Sequence, residues 1–210
     1  MVQLKYGMAF FIFLYITSCS KKEDRVVPKT DKDNGGLFLP DGFGAVVVID
    51  SIGPTRHLAV NDNGDIYVKL RIPNGDKGNI ALRDTDGDGK ADIIQRFGKY
   101  RNDGTFATEM RIHNGYLYFS SELVIYRQKL TPFKLIPEGK PEIILIDRLP
   151  IRWHNAKSLA FDKKGNMYVT FSGMTNVCEN WNTVPENQTQ GVKGYFPCPE
   201  LRGLAGIWRF

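Results

Sequence analysis

Apolar and polar positions alternate along this chain in short runs that are separated by turn residues. The clearest example lies at residues 153–173, where the pattern predicts a strand at 158–161, a tight turn at 162–166 and a second strand at 167–171. The strand positions carry Val, Phe, Tyr and Thr, which suit a pleated, half-buried surface. The turn carries Asp, Gly and Asn, which tolerate the positive φ of a hairpin. The segment therefore predicts a β-hairpin.

The same hairpin pattern occurs twice earlier, at residues 57–70 and 110–121. The turn glycines of the three copies are Gly64, Gly115 and Gly165, so the copies are 51 and 50 residues apart. A repeat of about 50 residues with up to four strands in each unit is typical of a propeller blade. The chain is therefore predicted to be an all-β protein with a β-propeller fold.

Each repeat unit supplies a set of strand candidates. The predicted strands are 57–60, 66–70, 79–83 and 92–97 in the first unit, 110–112, 117–120, 123–129 and 142–147 in the second, and 158–161, 167–171 and 206–210 in the third. A further strand is predicted at 45–49. No window shows the i, i+3, i+4, i+7 apolar stripe of a useful amphipathic helix. The repeats define about three blades, at about 57–104, 105–152 and 153–210.

Three blades are too few to close a ring, and a propeller needs closure to remove exposed strand edges. We therefore expect the sequence to be the front part of a six-bladed propeller that is truncated at its C-terminus. The strand at 45–49 would then be the outer strand of a final blade. The alternative is a small protein that closes by association of several copies.

The N-terminus differs from the rest of the chain. Lys5 precedes an apolar run at 8–16 that is too short to span a bilayer as a mature helix. The run leads into Ile-Thr-Ser-Cys, ending at Cys19, which resembles the lipobox of bacterial lipoproteins. The predicted segments are a lipoprotein signal peptide at 1–18, a flexible tether at 19–36 and the partial propeller at 37–210. The chain would then be exported and attached to the membrane by its lipid anchor only, on the periplasmic or cell-surface side. The alternative is an ordinary secretory signal that contains a cysteine.

Composition narrows the choice of partners. The apolar content of 42%, the charged content of 24% and the net charge of +5 are ordinary for a globular protein. Nucleic-acid binding is not predicted, because no long basic run concentrates Lys and Arg on one face. Apart from Cys19, the cysteines are Cys178 and Cys198, and a pair in an exported protein predicts a disulfide. A metal site is the alternative, although these two cysteines lack partners at ligand spacing.

The most distinctive local motif is DTDGDGKAD at residues 84–92. Its carboxylates occupy positions 1, 3, 5 and 9 of a calcium-type loop, with Gly89 at position 6 for the sharp turn. Position 12 is Gln95 instead of Glu, and the flanks are predicted strands, so the motif is not an EF-hand. The predicted Ca²⁺ ligands are the side chains of Asp84, Asp86, Asp88 and Asp92 and the backbone carbonyl of Lys90. The alternative is an acidic turn without metal.

Several segments together resemble the glucose/sorbosone dehydrogenase family. They are LPDGF (39–43), RHLAVNDNGDIYVKL (56–70), ALRDTDGDGKAD (81–92), IHNGYLYFSS (112–121), VIYR (124–127), FDKKGNMYVTF (161–171), the loop between Cys178 and Cys198, and GIWRF (206–210). The resemblance covers residues 37–210. It implies a six-bladed propeller that oxidises a sugar or a related alcohol or aldehyde with pyrroloquinoline quinone (PQQ). The substrate and the electron acceptor do not follow from these residues.

The resemblance also implies a general base. His154 precedes Leu159 with the His-x4-Leu spacing of the family's base, which takes a proton from a sugar hydroxyl while hydride passes to the quinone. Imidazole suits this role because its pKa lies near neutrality. The alternative is a histidine that lines the channel for packing or hydrogen bonding.

Cofactor-binding residues are predicted at the same mouth of the channel. Arg56, His57 and Lys157 lie just ahead of or within inner strands, where cations would suit the anionic quinone. Asn176 stands where relatives carry an Arg-Asn pair, but the preceding residue here is Thr175. Arg56 and Lys157 could instead form ion pairs between blades. A different class of function, a membrane-anchored propeller that binds a glycan or protein without catalysis, fits the same sequence.

Overall fold

The computed structural model describes residues 29–100, 109–148, 156–175, 178, 194–202 and 205–210. Within these ranges the chain forms strands in three antiparallel sheets, together with short 3₁₀ turns at Asn34–Gly36 and Pro199–Leu201. The strands are β1 (Thr55–Val60), β2 (Ile66–Asn74), β3 (Lys77–Arg83), β4 (Ile93–Lys99), β5 (Met110–His113), β6 (Tyr116–Ser120), β7 (Val124–Lys129), β8 (Glu138–Ile146), β9 (Leu159–Phe161), β10 (Met167–Phe171) and β11 (Gly206–Arg209).

The three sheets are successive blades in chain order. The first is β1-β2-β3-β4, the second is β5-β6-β7-β8, and the third is β9-β10-β11, with neighbouring strands paired in sequence. This up-and-down order is the order of a propeller blade. The all-β prediction and the partial propeller are therefore confirmed.

All the strand candidates within the repeat units are present, and most of their ends lie within two residues of the predicted positions. Two strands are longer than predicted: β2 runs on to Asn74 instead of ending at residue 70, and β8 begins at Glu138 instead of residue 142. For β2 the cause is the Asn-Gly turn, since Gly75 adopts a φ of 65° and closes a hairpin onto β3.

The predicted strand at 45–49 is wrong, because this segment joins no sheet. Isolated hydrogen bonds hold this segment instead. The Asp31 N–H donates to the Ala45 carbonyl at 2.9 Å, the Ala91 N–H donates to the Val48 carbonyl at 2.9 Å, and the Val47 N–H donates to Asp31 Oδ2 at 2.8 Å. An apolar run forms a strand only where a neighbouring strand offers a ladder, and here its partners are isolated groups.

Sheet stacking builds the core. Successive side chains of a strand point to opposite faces, so Leu117 and Phe119 of β6 face the first sheet while Tyr118 faces the third. Between the first and second sheets the buried cluster includes Tyr67, Ala81, Phe97, Met110, Leu117 and Phe119. Between the second and third sheets it includes Tyr118, Ile125, Leu159, Met167 and Val169. Each fully buried large apolar side chain stabilises the fold by about 1.5–3 kcal/mol, so these two layers hold the blades together.

Arg83 at the end of β3 and Arg127 within β7 both have structural partners in their own blades. Arg83 forms a two-bond pair with the buried Asp65, with Nε–Oδ1 and Nη2–Oδ2 distances of 2.7 Å. Burial acts to raise the pKa of the Asp65 carboxyl, but hydrogen bonds from Arg83 and Asn63 outweigh it, and the pKa lies below its usual value. Arg127 pairs with Glu142 at 2.9 Å. These arginines therefore stabilise their own blades.

The predicted disulfide is confirmed: Cys178 and Cys198 are bonded, with their Cα atoms 5.8 Å apart. The Tyr195 N–H also donates to the Cys178 carbonyl at 3.0 Å. Most of the intervening loop lies outside the described residues. Among the residues that the structure describes, no helix is long and apolar enough to cross a bilayer.

Candidate functional site at the inner ends of the blades

The first strands of the three blades lie next to one another. The first and second sheets meet through β1 and β5, and the second and third meet through β5 and β9. Glu109, which directly precedes β5, contacts His57 near the start of β1 and Leu159 at the start of β9, so all three strands start at the same end. We call this end the inner mouth; its residues are Arg56, His57, Glu109, Arg111 and Lys157.

Glu109 is the buried centre of the inner mouth, with 1% of its side chain exposed. Its Oε1 accepts a hydrogen bond from the Met110 N–H at 2.9 Å, and its Oε2 accepts one from the Leu159 N–H at 3.1 Å. Its own backbone pairs with Ser120 of β6. The carboxylate therefore fixes the start of β9 against β5, directly after the segment that contains His154.

Two basic side chains flank the Glu109 carboxylate. His57 Nδ1 lies 3.4 Å from Oε1, within reach of a charge interaction but outside hydrogen-bond geometry. Arg111 Nε lies 3.6 Å from the same oxygen and donates to the Leu159 carbonyl at 3.3 Å. The His57 side chain is 33% exposed and the Arg111 side chain 47% exposed. Both can thus meet a ligand while a buried carboxylate holds them in place.

Arg111 was not predicted as a site residue, although the sequence contains a signal for it. Alignment of the repeats on Tyr67, Tyr118 and Tyr168 places Arg111 opposite Tyr118, where the other two repeats have Ala59 and Ala160. An arginine at a position where the repeats otherwise carry alanine departs from the blade repeat, and here its Nε donates across to β9 of the next blade. That contrast within the repeat indicates a local role at the mouth.

Lys157 is enclosed at the boundary between the second and third blades, with 1% of its side chain exposed. Its Nζ lies 3.2 Å from Asp147 Oδ2 and donates to the Glu122 carbonyl. The Phe171 ring centroid lies 5.8 Å from the same nitrogen. This geometry is that of an ion pair between blades, which the sequence left open as an alternative. Binding of a cofactor by Lys157 stays a prediction, and it would require access to this enclosed ammonium.

A cavity of about 600 Å³ adjoins the inner mouth, between residues 48–53 and the first sheet. Arg56 and His57 line it together with Asp50 and apolar side chains that include Leu58. Arg56 is exposed. A concave, mostly apolar space with a few polar groups is the usual form of a small-molecule site. The two basic residues would favour an anionic ligand there.

Three other predicted residues lie outside the described part of the chain. His154, Asn176 and Cys19 belong to segments whose placement is not described. Their roles as base, cofactor contact and lipidation site stay predictions from the sequence. The described chain resumes at residue 156, and Lys157 and the start of β9 at Leu159 lie at the inner mouth.

The calcium-type loop brings its first three carboxylates together. One ligand oxygen from each of Asp84, Asp86 and Asp88 lies within 4.8 Å of the others. The Asp84 carboxylate accepts hydrogen bonds from the N–H groups of Gly87 and Gly89, both at 2.8 Å. These backbone bonds hold the pKa of Asp84 below its usual value, with Gly89 the main cause. Carboxylate oxygens that converge in this way fit a hard cation such as Ca²⁺.

The fourth predicted carboxylate, Asp92, is turned to a neighbour in the loop. Its Oδ2 accepts bonds from the Thr85 N–H at 2.6 Å and the Thr85 hydroxyl at 2.7 Å. These bonds lower the pKa of Asp92. Lys90 Nζ lies 3.3 Å from Asp31 Oδ1, which ties the loop to the N-terminal segment. Asp92 therefore stabilises the loop from within, and Lys90 links it to the N-terminal segment.

Comparison with known proteins gives a likeness at the level of the fold. No family model matches the chain, and no curated protein matches it. Among solved structures, the holo form of the pyranose dehydrogenase PQQ domain from Coprinopsis cinerea matches with a TM-score of 0.50 and 12% identity, over 62% of this chain and 30% of that chain. A calcium structure and an iodide structure of a Trichoderma reesei carbohydrate-active enzyme of family AA12 match with TM-scores of 0.49 and 0.48, both at 12% identity over 62% of this chain.

The chain thus spans about a third of the length of the solved domains that it matches. At 12% identity the first of these matches shows a shared fold and no more. The described blades of this chain are folded like a part of the PQQ domain of that pyranose dehydrogenase.

Proposed function

We propose that this chain is part of an oxidoreductase that oxidises a sugar, or a related alcohol or aldehyde, with PQQ as its cofactor. The observation that carries the proposal is the convergence of His57 and Arg111 around the buried Glu109 at the inner mouth. The likeness in fold to a PQQ domain is consistent with this use of the mouth. The substrate would be a small sugar-type molecule.

The basic residues at the mouth fit the carboxylates of this cofactor. Arg56 and His57 line the adjacent cavity, and they are the residues that we expect to hold PQQ, with Lys157 and Asn176 as further predicted contacts. Bound PQQ would supply a two-electron acceptor. His154 would take the hydroxyl proton of the substrate, a step that suits an imidazole with a pKa near neutrality.

PQQ binding by a form of the protein that carries all the blades tests the proposal. We expect saturable binding in a fluorescence titration, and we expect Arg56→Ala to weaken it by about 10–100-fold, the value of one charge-assisted hydrogen bond. Arg209→Ala is the matched control, because Arg209 is an exposed arginine on β11, away from the inner strands. Absence of PQQ binding by that form without substitutions, or equal losses in both variants, would contradict the proposal.

We also propose that the loop at 84–92 binds a structural Ca²⁺ through Asp84, Asp86, Asp88, Asp92 and the carbonyl of Lys90. Binding to the native state alone stabilises it, so chelation should lower the melting temperature by about 5–10 °C when calcium is at about 100 times its Kd. Asp86→Ala should melt low and ignore calcium. Asp76→Ala, which removes an exposed carboxylate from the β2–β3 turn, should respond as the wild type does. If the chelator leaves the melting curve unchanged, the proposal of a calcium site in this loop is refuted.

We propose in addition that Cys19 is acylated and anchors an exported protein to the membrane. The supporting observation is the lipobox-like sequence that ends at Cys19 and the polar segment that follows it. The expressed wild-type protein should partition into detergent and gain the mass of acyl chains, whereas Cys19→Ala should remain in the aqueous phase. A soluble, unacylated wild-type protein would refute this assignment.

A further inference from the structure

Phe133 occupies a backbone conformation that does not suit it. The Lys134 N–H donates to the Thr131 carbonyl at 3.1 Å, which closes a tight turn with Pro132 and Phe133 at its centre. Phe133 has a φ of 67°, at the turn position where positive φ normally selects Gly or Asn. For a bulky residue this conformation is an outlier. Its side chain is 93% exposed, so packing does not offset the backbone cost.

The loop that carries Phe133 is firmly held. The Leu130 N–H donates to the Gly115 carbonyl at 2.8 Å, and the Tyr67 hydroxyl donates to the Leu135 carbonyl at 3.1 Å. Leu135 is buried in the core between the first two blades. The strain therefore belongs to an ordered turn. Strained residues persist where the surrounding structure imposes the conformation, and they cluster at binding and active sites.

A polar cleft of about 540 Å³ lies beside Phe133, between the hairpin turns of the first two blades. The side chains of Asn61, Asp62 and Asn114 line it and make no hydrogen bond with other described residues. His113 also lines it, stacked on the Phe161 ring at 4.1 Å. The His113 Nε2 atom is enclosed and has no hydrogen-bond partner among the described residues.

This cleft lies at the opposite end of the inner strands from the inner mouth. His57 is near the start of β1 and Glu109 directly precedes β5, whereas Val60 and His113 are the last residues of those strands. Residues 61–65 and 114–115 continue from these ends as the hairpin turns. The cleft is therefore separate from the proposed redox site.

We propose that this cleft binds a neutral carbohydrate, with one sugar ring stacked on Phe133 and its hydroxyls bonded to Asn61, Asp62 and Asn114. An amide offers a donor and an acceptor, and a carboxylate offers acceptors only, which together match the hydroxyls of a sugar. The negative face of an aromatic ring attracts the slightly positive C–H groups of a sugar ring. Among the described residues that line the cleft, Asp62 is the only formally charged side chain apart from the ionisable His113, so this lining does not favour a phosphate or nucleotide.

The test is saturation-transfer NMR on the full chain with cellotriose, mannotriose and xylotriose as probes. We expect the wild type to bind at least one of them with a Kd of about 0.1–10 mM. Phe133→Gly should weaken binding by about tenfold or more through loss of the stacked ring. The same variant should melt about 2–4 °C higher, because glycine relieves the positive φ. Weaker binding together with a higher melting temperature would indicate that Phe133 serves ligand binding at a cost in stability.

Phe133→Tyr should retain the binding, and Phe38→Ser, at an exposed phenylalanine outside the cleft, should leave it unchanged. No binding of any probe at about 10 mM would overturn the proposal. Binding that survives Phe133→Gly would do the same, and its loss in Arg56→Ala would assign the sugar to the inner mouth. A melting temperature that falls in Phe133→Gly would overturn the strain argument. None of these measurements needs PQQ, so failure of the redox proposal would leave this one standing.

Discussion

Replacing His154 with alanine is expected to lower the turnover of quinone-dependent sugar oxidation by about 10²–10⁴-fold, the usual contribution of a positioned base. The reason is that an alcohol loses its hydroxyl proton as it is oxidised, and His154 would be the group that takes this proton. In the sequence His154 precedes Leu159 by the His-x4-Leu spacing, and the Leu159 N–H donates to Glu109 at the inner mouth. Dye reduction by a form of the protein that carries all the blades, with added PQQ, measures the effect.

Two further readouts separate a base from a packing residue. PQQ affinity should change little in His154→Ala, because a base acts mainly in the transition state. The wild-type rate should fall as the pH drops through an ionisation near neutrality, since a protonated imidazole cannot accept a proton, and the variant should lose this dependence. Turnover close to that of the wild type in His154→Ala would reduce His154 to a residue that lines the channel.

Replacing Asp147 with alanine is expected to lower the free energy of unfolding by about 3–5 kcal/mol, the usual cost of breaking a buried ion pair from one side. Asp147 and Lys157 are both nearly inaccessible to solvent, and they join the second blade to the third. Without the carboxylate, the Lys157 ammonium would keep its bond to the Glu122 carbonyl but would lose the negative charge of Asp147. Urea unfolding monitored by tryptophan fluorescence measures the loss.

A double replacement distinguishes the charge from the packing. Asp147→Leu combined with Lys157→Met removes both charges and leaves apolar groups of similar size, so its stability should be much closer to that of the wild type. Asp76→Ala breaks an exposed pair with Lys99 and should change stability little. If Asp147→Ala and the double variant unfold at the same urea concentration, the buried charge is not the cause of the loss.

The repeat in the sequence was a sound guide to the blades because hairpin chemistry is local. Gly64, Gly115 and Gly165 all adopt positive φ in the turns that the pattern predicted. The run at 45–49 has the same apolar character, yet it joins no sheet. The difference is that a hairpin strand brings its own partner a few residues away, whereas an isolated run depends on what the tertiary structure places beside it.

The candidate site was only partly predictable. His57 and Arg56 were found from their place ahead of an inner strand, and both line the cavity at the inner mouth. Arg111 was not predicted because a single basic residue in a strand is common, and its contacts with Glu109 and Leu159 appear only in the folded chain. Lys157 was predicted as a cofactor contact from its place ahead of an inner strand, but in the structure its ammonium lies against Asp147 of the adjacent blade.

The sequence by itself determined the strands of the repeat units, the hairpin turns, the disulfide partners and the clustering of Asp84, Asp86 and Asp88 in one loop. Each of these depends on chemistry within a few residues or on a pair of cysteines. Only the tertiary structure decided that Glu109 joins β1, β5 and β9, and that Phe133 is turned out to solvent beside a polar cleft. Both facts arise from the stacking of blades about 50 residues apart, and no local pattern encodes which groups meet across such a distance.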